Sequence, residues 1–445
     1  MSTLNIPSAF PEPVIVPRAE HGISRAQISP SALKVLYRLK DAGFAAYLVG
    51  GGVRDLLLGR EPKDFDIATD AHPEEVRALF RNCRLIGRRF RLAHVRFGSE
   101  IIEVATFRAP HDGAEDEGAG ELSEDGRILR DNVYGTFEQD AWRRDFTVNS
   151  LYYNIRDFSV VDHTGAMADI AEGQMRLIGD PQVRYREDPV RMLRAVRFAA
   201  KLGFRIEEAS EAPIFELADL LFDIAPARLF DEVLKLLHGG VALETFEQLR
   251  RYGLFRSLFP LTERALERED QGFPMTFIAR ALENTDRRIT EGKPVTPAFL
   301  FAVLLWEPVR LRTAELVAEG MGEIPALQVA AAEVTSEQLR HVAIPKRFSL
   351  PMREIWTLQP RFAQRRGKRV ARLLAHPRFR AAYDFMCLRA AVGDGDPELC
   401  AWWTQLQETD ASGQEELLQQ QTAAEPARKR RRRPRKRARK PGPDA

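Results

Sequence analysis

Three consecutive glycines, Gly50, Gly51 and Gly52, separate a short β-prone run, Tyr47-Leu48-Val49, from a helix-like segment, Val53 to Leu58, that Gly59 ends. A strand that bends into a helix through backbone without side chains can lie close to a phosphate, and a helix N-terminus favours negative charge. Arg54, in the first helical turn, is placed for a guanidinium to grip a phosphate in two places. The glycines are consecutive, so they do not match the spaced dinucleotide-binding fingerprint. Asp64-Phe65-Asp66-Ile67 follows. As a strand, it puts both carboxylates on one face and Phe65 and Ile67 on the other. Paired acids over an apolar backing suit two divalent cations, which activate a hydroxyl and neutralise phosphate in an in-line displacement.

Composition sets the frame for this stretch. With 445 residues, 44% hydrophobic and 29% charged, the chain predicts two to four globular domains. No apolar run approaches the length of a membrane helix, and Met1 to Pro17 lacks the pattern of a secretory signal. Cys83, Cys387 and Cys400 match no zinc spacing and read as free thiols of a reducing compartment, with the cytoplasm as the expected location. Charge is uneven. Arg428 to Lys440 holds 11 basic residues; without that tail the chain has 55 basic against 63 acidic residues, about −8 net. A basic arm on an acidic body suits a phosphate-backbone ligand.

Along the chain, Met1 to Ser24 reads as disordered, and Ser29-Pro30 opens an amphipathic helix to about Ala42. Pro73 to Phe80 is a second helix, Leu85 to Phe97 a turn and strand, and Glu100 to Phe107 a strand presenting Glu103. Pro110 to Arg127 is acidic and glycine-rich and reads as a mobile loop. Val160 to Asp169 suggests a hairpin and Met175 to Ile178 a last strand. Asp188 and Pro189 read as N-cap and first residue of a helix. On it Arg191, Arg194, Arg197 and Lys201 share one side, opposite Met192, Leu193 and Val196. Beyond Glu208 the pattern is helical. Arg361 to Arg380 carries eight basic residues among Phe362, His376 and Phe379, a pattern that fits RNA and an ordinary surface helix alike.

Gly51-Gly52-Val53-Arg54-Asp55 followed by Asp64-Phe65-Asp66 resembles the signature of polymerase-β-like nucleotidyltransferases, in particular the family of bacterial poly(A) polymerases and CCA-adding enzymes. Arg143-Arg144-Asp145-Phe146-Thr147-Val148-Asn149 is similar to that family's R-R-D-F-T-x-N motif. Glu187-Asp188 through Arg191, Arg194 and Arg197-Phe198 is similar to its E-D-x-x-R-x-x-R-x-x-R-F motif. The resemblance implies an α+β fold, with a small mixed-sheet nucleotidyltransferase head at 29–180 and all-α neck and body domains at 181–265 and 266–410. A disordered arm at 1–28 and a disordered basic C-terminal tail at 411–445 complete it.

The activity implied is template-independent transfer of AMP from ATP to an RNA 3′-OH, with pyrophosphate released, in the service of mRNA turnover. Asp64 and Asp66 would hold two Mg²⁺ ions. The residues themselves leave Glu103 and Asp145 both open as the third carboxylate; the resemblance points to Asp145. Gly51, Gly52 and Arg54 would hold phosphates, with Arg144 or its neighbour Arg143 contacting the nucleotide. Asp188 and Arg191 would face the base, and Arg194 and Arg197 the triphosphate. RNA is the expected partner, with RNA-decay or RNA-chaperone proteins beside it. Leu85 to Phe97 and the basic tail resemble the poly(A) polymerase branch rather than the CCA-adding one. A non-catalytic RNA-binding adaptor is the third reading, and the intact Asp64, Asp66 and Asp145 argue against it.

Overall fold

The computed structural model describes residues 10–87, 91–109, 120–122, 128–131, 133–268 and 275–423. Its strands are β1 (Val14–Val16), β2 (Ala46–Val49), β3 (Asp66–Thr69), β4 (Cys83–Ile86), β5 (Leu92–Phe97), β6 (Glu100–Thr106), β7 (Gly120–Leu122), β8 (Ile128–Asp131), β9 (Leu151–Asn154), β10 (Val160–Asp162), β11 (Gln174–Met175) and β12 (Arg205–Ile206). Eight of them form a mixed sheet in the order β1-β10-β9-β2-β3-β6-β5-β4. The β3–β6 pair is parallel and its neighbours are antiparallel.

The helices of the head are α1 (Pro30–Asp41), α2 (Gly51–Leu57), α3 (Pro73–Leu79), α4 (Phe137–Trp142) and α5 (Ala166–Glu172). The side chain of Ser29 caps α1 by accepting from the Ala32 N–H, and Pro30 starts it, as the sequence predicts. Its Ala32, Val35, Leu36 and Leu39 are fully buried against Leu48, Ile67 and Val104. Burial of each leucine there contributes about 2 kcal/mol. The opposite face of the sheet packs Val49, Ala68, Tyr152 and Val161 against Ala141 and Phe107.

Several expectations need correction. The arm is not free throughout: β1 pairs with β10, and Ile23 and Ile28 are buried, so the chain joins the head from Val14 onward. Residues 1–9 lie outside the described part. Most of 110–127, including His111 and Asp112, is likewise outside it, but Gly120–Leu122 pairs with β8 as a ribbon. The hairpin after β9 ends at Asp162. Its carboxylate accepts from the N–H groups of Thr164, Gly165, Ala166 and Met167 and so starts α5. Gln174–Met175 pairs with β12, outside the main sheet.

The neck comprises α6 (Pro181–Glu187), α7 (Val190–Leu202), α8 (Glu208–Leu217), α9 (Pro226–Leu237) and α10 (Ala242–Arg251). One apolar core runs from Phe146 and Met175 through these helices to Trp306, Trp356 and Phe385. A smaller core, with Phe362, Phe379 and Trp403, holds the last helices together. Phe362 and Phe379 are therefore core rings packed on Trp403, not stacking platforms for RNA among the arginines of 361–380. Cys387 and Cys400 form a disulfide between the Phe379–Ala391 and Pro397–Glu408 helices, with Cα atoms 5.2 Å apart; only Cys83 is a free thiol. Adjacent antiparallel helices brought the two within bridging distance, which spacing alone could not show. A helix, Ala411–Ala423, extends into the segment expected to be disordered, and 424–445 lies outside the described residues. Among the described residues no helix is long and apolar enough to cross a membrane.

Candidate active site

The glycine bend lies where β2 runs out beside β3. Gly50 has φ +74°, a left-handed conformation that favours glycine. A Cβ on Gly52 would meet the Asp64 carbonyl oxygen at 3.3 Å, so the bend and the acidic loop are packed backbone to backbone. Val49 pairs with Asp66, and Asp66 pairs in parallel register with Glu103, so Val49, Asp66 and Glu103 share one face of the sheet. Asp64 precedes the strand and is exposed.

Three acids thus converge from two adjacent strands and the loop before one of them. Solvent reaches Asp66, yet crowding by protein is the largest influence on its carboxyl. Together with the negative charges of Glu103 and Asp64, and against the pull of Arg144, it pushes the group up to about 6. Glu103 in turn lies 3.2 Å from His94 Nε2. Among the described residues, no group of three or more His, Cys, Asp or Glu stands close enough to enclose a metal ion. Crowded like charges of this kind are nonetheless the arrangement a divalent cation relieves, and the oxygen-only donor set suits Mg²⁺.

Asp145 is placed differently from the expectation. Its Oδ2 accepts from Arg194 Nε at 2.7 Å and Nη2 at 2.5 Å, and its Oδ1 accepts from Asn149 Nδ2 and the Phe146 N–H. Burial pushes this carboxyl up, but Arg194 and the hydrogen bonds outweigh it and hold the group down at about 2. Both oxygens are engaged, and Glu103 rather than Asp145 is the carboxylate beside Asp66.

Arg54 also departs from the expectation. It is 2% exposed, donates to Asp55 Oδ1 and Asn149 Oδ1, and so locks α2 to the 147–149 turn instead of reaching a phosphate. Arg144 faces the bend. It donates to Tyr152 and Asp140, and its Nη1, without a partner among the described residues, points where a Cβ on Gly50 would be, 3.6 Å away. The carboxylate that fixes it, Asp140, is buried; its i+4 spacing from Arg144 was legible in the sequence and passed over.

The basic side of α7 divides into committed and available groups. Arg194 holds Asp145. Arg191 donates to Glu187 and to the Arg184 carbonyl. Asp188 is not the N-cap of α7, as the sequence suggests, because Pro189 takes that place and Val190 starts the helix; its Oδ1 accepts from the Val190 N–H, and its Oδ2 pairs with Arg228 from α9 at 2.6 Å. Asp188 and Arg191 are thus adjacent but already engaged, which the sequence could not show. Arg197 has no hydrogen-bond or ion-pair partner among the described residues. Its Nε is buried without one, and its guanidinium lies 4.3 Å from the Phe198 ring. Burial and the neighbouring Arg194 lower its pKa, as expected of an enclosed cation beside a like charge. Arg184, on α6, was missed together with its helix, although Asp180 and Pro181 carried the start signal.

The profile described as "Poly A polymerase head domain" matches residues 46–176, "Probable RNA and SrmB- binding site of polymerase A" matches 203–266, and "Polymerase A arginine-rich C-terminus" matches 319–437. Poly(A) polymerase I of Salmonella typhimurium is 52% identical over 97% of this chain and 93% of its own length. That of Haemophilus influenzae is 47% identical over 95% and 94%. The CCA-adding enzyme of Lactobacillus helveticus is 38% identical over 48% of this chain and 52% of its own. Among solved structures, the Bacillus stearothermophilus CCA-adding enzyme in complex with CTP superposes with a TM-score of 0.56. It is 26% identical, over 84% of this chain and 81% of that one.

Proposed function

The chain belongs to the bacterial poly(A) polymerase family, and from that premise we propose how it adds AMP from ATP to RNA 3′ ends without a template. Identity to poly(A) polymerases over nearly the whole chain carries this reading. The CCA-adding relatives match about half of it, so that alternative is not favoured. An adaptor with a dead head is disfavoured as well, because the carboxyl groups of Asp64, Asp66 and Glu103 are crowded together where a polyanion would bind.

Asp64 and Asp66 are the residues that would hold a divalent pair, with Glu103 beside them. Bound there, the ions supply a lowered pKa for the attacking hydroxyl and compensation for pyrophosphate charge. In the reaction the RNA 3′-oxygen bonds to the α-phosphorus of ATP as the bond to the β-phosphate oxygen breaks. Pyrophosphate leaves, and the hydroxyl proton is lost to solvent. The N–H groups of Gly51 and Gly52, in the first turn of α2, have no intrahelical acceptor and face phosphate. Arg197, without a hydrogen-bond or ion-pair partner among the described residues, and Arg144 Nη1, whose sister nitrogens hold Asp140 and Tyr152, bring positive charge. Asp145 acts through Arg194 of α7, and the pair ties the 143–149 segment to that helix. The base is read at the start of α7, where Asp188 and Arg191 leave Arg228 and Glu187 to meet it.

RNA is held by charge on the basic tail and, as the match of 203–266 supports, at the neck, where a protein partner docks as well. The unit boundaries at 180, 265 and 410, and work in the cytoplasm, belong to the same reading. Primer extension tests it, with Mg²⁺, each NTP separately, an unstructured RNA and a tRNA lacking its 3′ CCA. Long A-only extension of the unstructured RNA is expected. Addition of C, C and A to the tRNA followed by arrest would overturn the assignment in favour of the sibling activity.

A further inference from the structure

Arg184 joins the neck to the head through contacts that neither motif accounts for. Its guanidinium is enclosed. Nη2 donates to the backbone carbonyls of Arg143 at 2.7 Å and Arg144 at 2.6 Å, and Nη1 donates to Glu187 Oε2 at 2.9 Å. The same Glu187 oxygen accepts from Arg191 Nη1 at 2.9 Å, and Arg191 also donates to the Arg184 carbonyl. A continuous chain of hydrogen bonds therefore runs from the backbone at 143–144 to Arg191 at the start of α7.

We propose that Arg184 is a positioning residue that ties the backbone bearing Arg144 and Asp145 to the base-reading end of α7 by way of Glu187. The proposal rests on the reading of this cleft as the nucleotide site. A planar guanidinium bonded to two successive carbonyls fixes both their position and their orientation, which a single ammonium cannot do. The carbonyls at the end of α4 carry the partial negative charge that such a cation meets best. Arg191 cannot turn to a base without leaving Glu187. The freed carboxylate then holds Arg184 alone, so engagement of a base changes the grip on the segment that aims Arg144 at the glycine bend. Selectivity among bases and placement of the triphosphate are linked through Arg184.

The test uses the full chain and the variants Arg184→Lys, Glu187→Gln and Asp64→Ala, each checked for folding by thermal melting. Initial rates of RNA extension are measured with ATP and with CTP, and RNA affinity is measured separately. Arg184→Lys is expected to raise KM for ATP about tenfold, below the roughly hundredfold cost of a full 1 Å misplacement at a reacting centre. It is also expected to narrow the ATP-to-CTP ratio of kcat/KM about fivefold, with RNA affinity unchanged. Glu187→Gln, which leaves Arg184 on its two carbonyls, should shift both values in the same direction. A loss of kcat that merely tracks the folded fraction, with KM and selectivity as in the wild type, overturns the proposal. Asp64→Ala separates the two levels. If it stays active, the reading of the cleft fails; if it is inactive while Arg184→Lys keeps wild-type KM and selectivity, only the role of Arg184 fails.

Discussion

Asp145→Asn and Glu103→Gln are expected to fail in opposite ways, because one carboxylate is engaged within the fold and the other stands beside the proposed divalent-ion site. Asp145 is held at about 2 against an ordinary 3.8. That depression corresponds to roughly 2.4 kcal/mol of stability at neutral pH. Asn at 145 forfeits it and leaves Arg194 without its anion, so a loss of about 2 to 4 kcal/mol is expected. The folded value lies below the unfolded one, so this contribution is complete above about pH 5 and fades as pH falls from about 4 towards 2. Urea denaturation should therefore show a wild-type-to-variant gap that is wide at pH 7 and narrower near pH 3. Glu103 is half-exposed and its loss should move stability by less than about 0.5 kcal/mol. Half-saturating Mg²⁺ for extension should instead rise roughly tenfold to a hundredfold, the range seen when groups supporting metal ligands are removed. The reasoning is refuted if Asp145→Asn is as stable as the wild type and needs more Mg²⁺ while Glu103→Gln does not.

The same distinction between committed and available charge separates two arginines. Arg197→Gln should raise KM for ATP with stability unchanged, whereas Arg54→Gln, which empties a buried site beside Asp55 and Asn149, should cost about 3 kcal/mol in urea denaturation. A destabilised Arg197→Gln would show that this guanidinium has a structural partner after all. Deleting 427–445 should weaken RNA binding while sparing addition of a single nucleotide. The slope of log affinity against log salt should fall by as much as about 8 if all the tail's cations sit on single-stranded phosphates. An unchanged slope removes the tail from RNA binding. Cys400→Ser or reduction should lower stability of the last helices by about 3 kcal/mol, the value for a loop near this length. Identical melting with and without reductant would refute it.

What was legible in the sequence is what depends on local periodicity. Gly50 between β2 and α2, the capped start of α1, and the alternation that puts Asp66 opposite Ile67 all follow from rules acting over a few residues. Glu103 was found by the same period of two, but its rank as the neighbour of Asp66 depends on the parallel pairing of β3 with β6, a long-range fact. The β1 edge strand was lost among prolines and serines because its support is β10, more than 140 residues away. Disulfide formation between Cys387 and Cys400 required knowing that two helices run side by side. Phe362 and Phe379 were weighed as stacking rings because composition cannot tell which side of a helix meets Trp403.

The basic stripe of α7 shows why a helical wheel is insufficient for assigning an anion site. Arg191, Arg194 and Arg197 have the same chemistry and nearly the same direction, yet Glu187 takes the first and Asp145 the second. Each pairing depends on an acid brought by another element, and each neutralises a cation that the wheel would have offered to phosphate. The third is left beside Phe198, with Arg54 and Arg194 also against the same ring. Three guanidiniums around one ring repel one another unless anions intervene. Asp55 and Asp145 serve two of them. Arg197, with none among the described residues, is where the fold leaves positive charge for an anion from outside the chain.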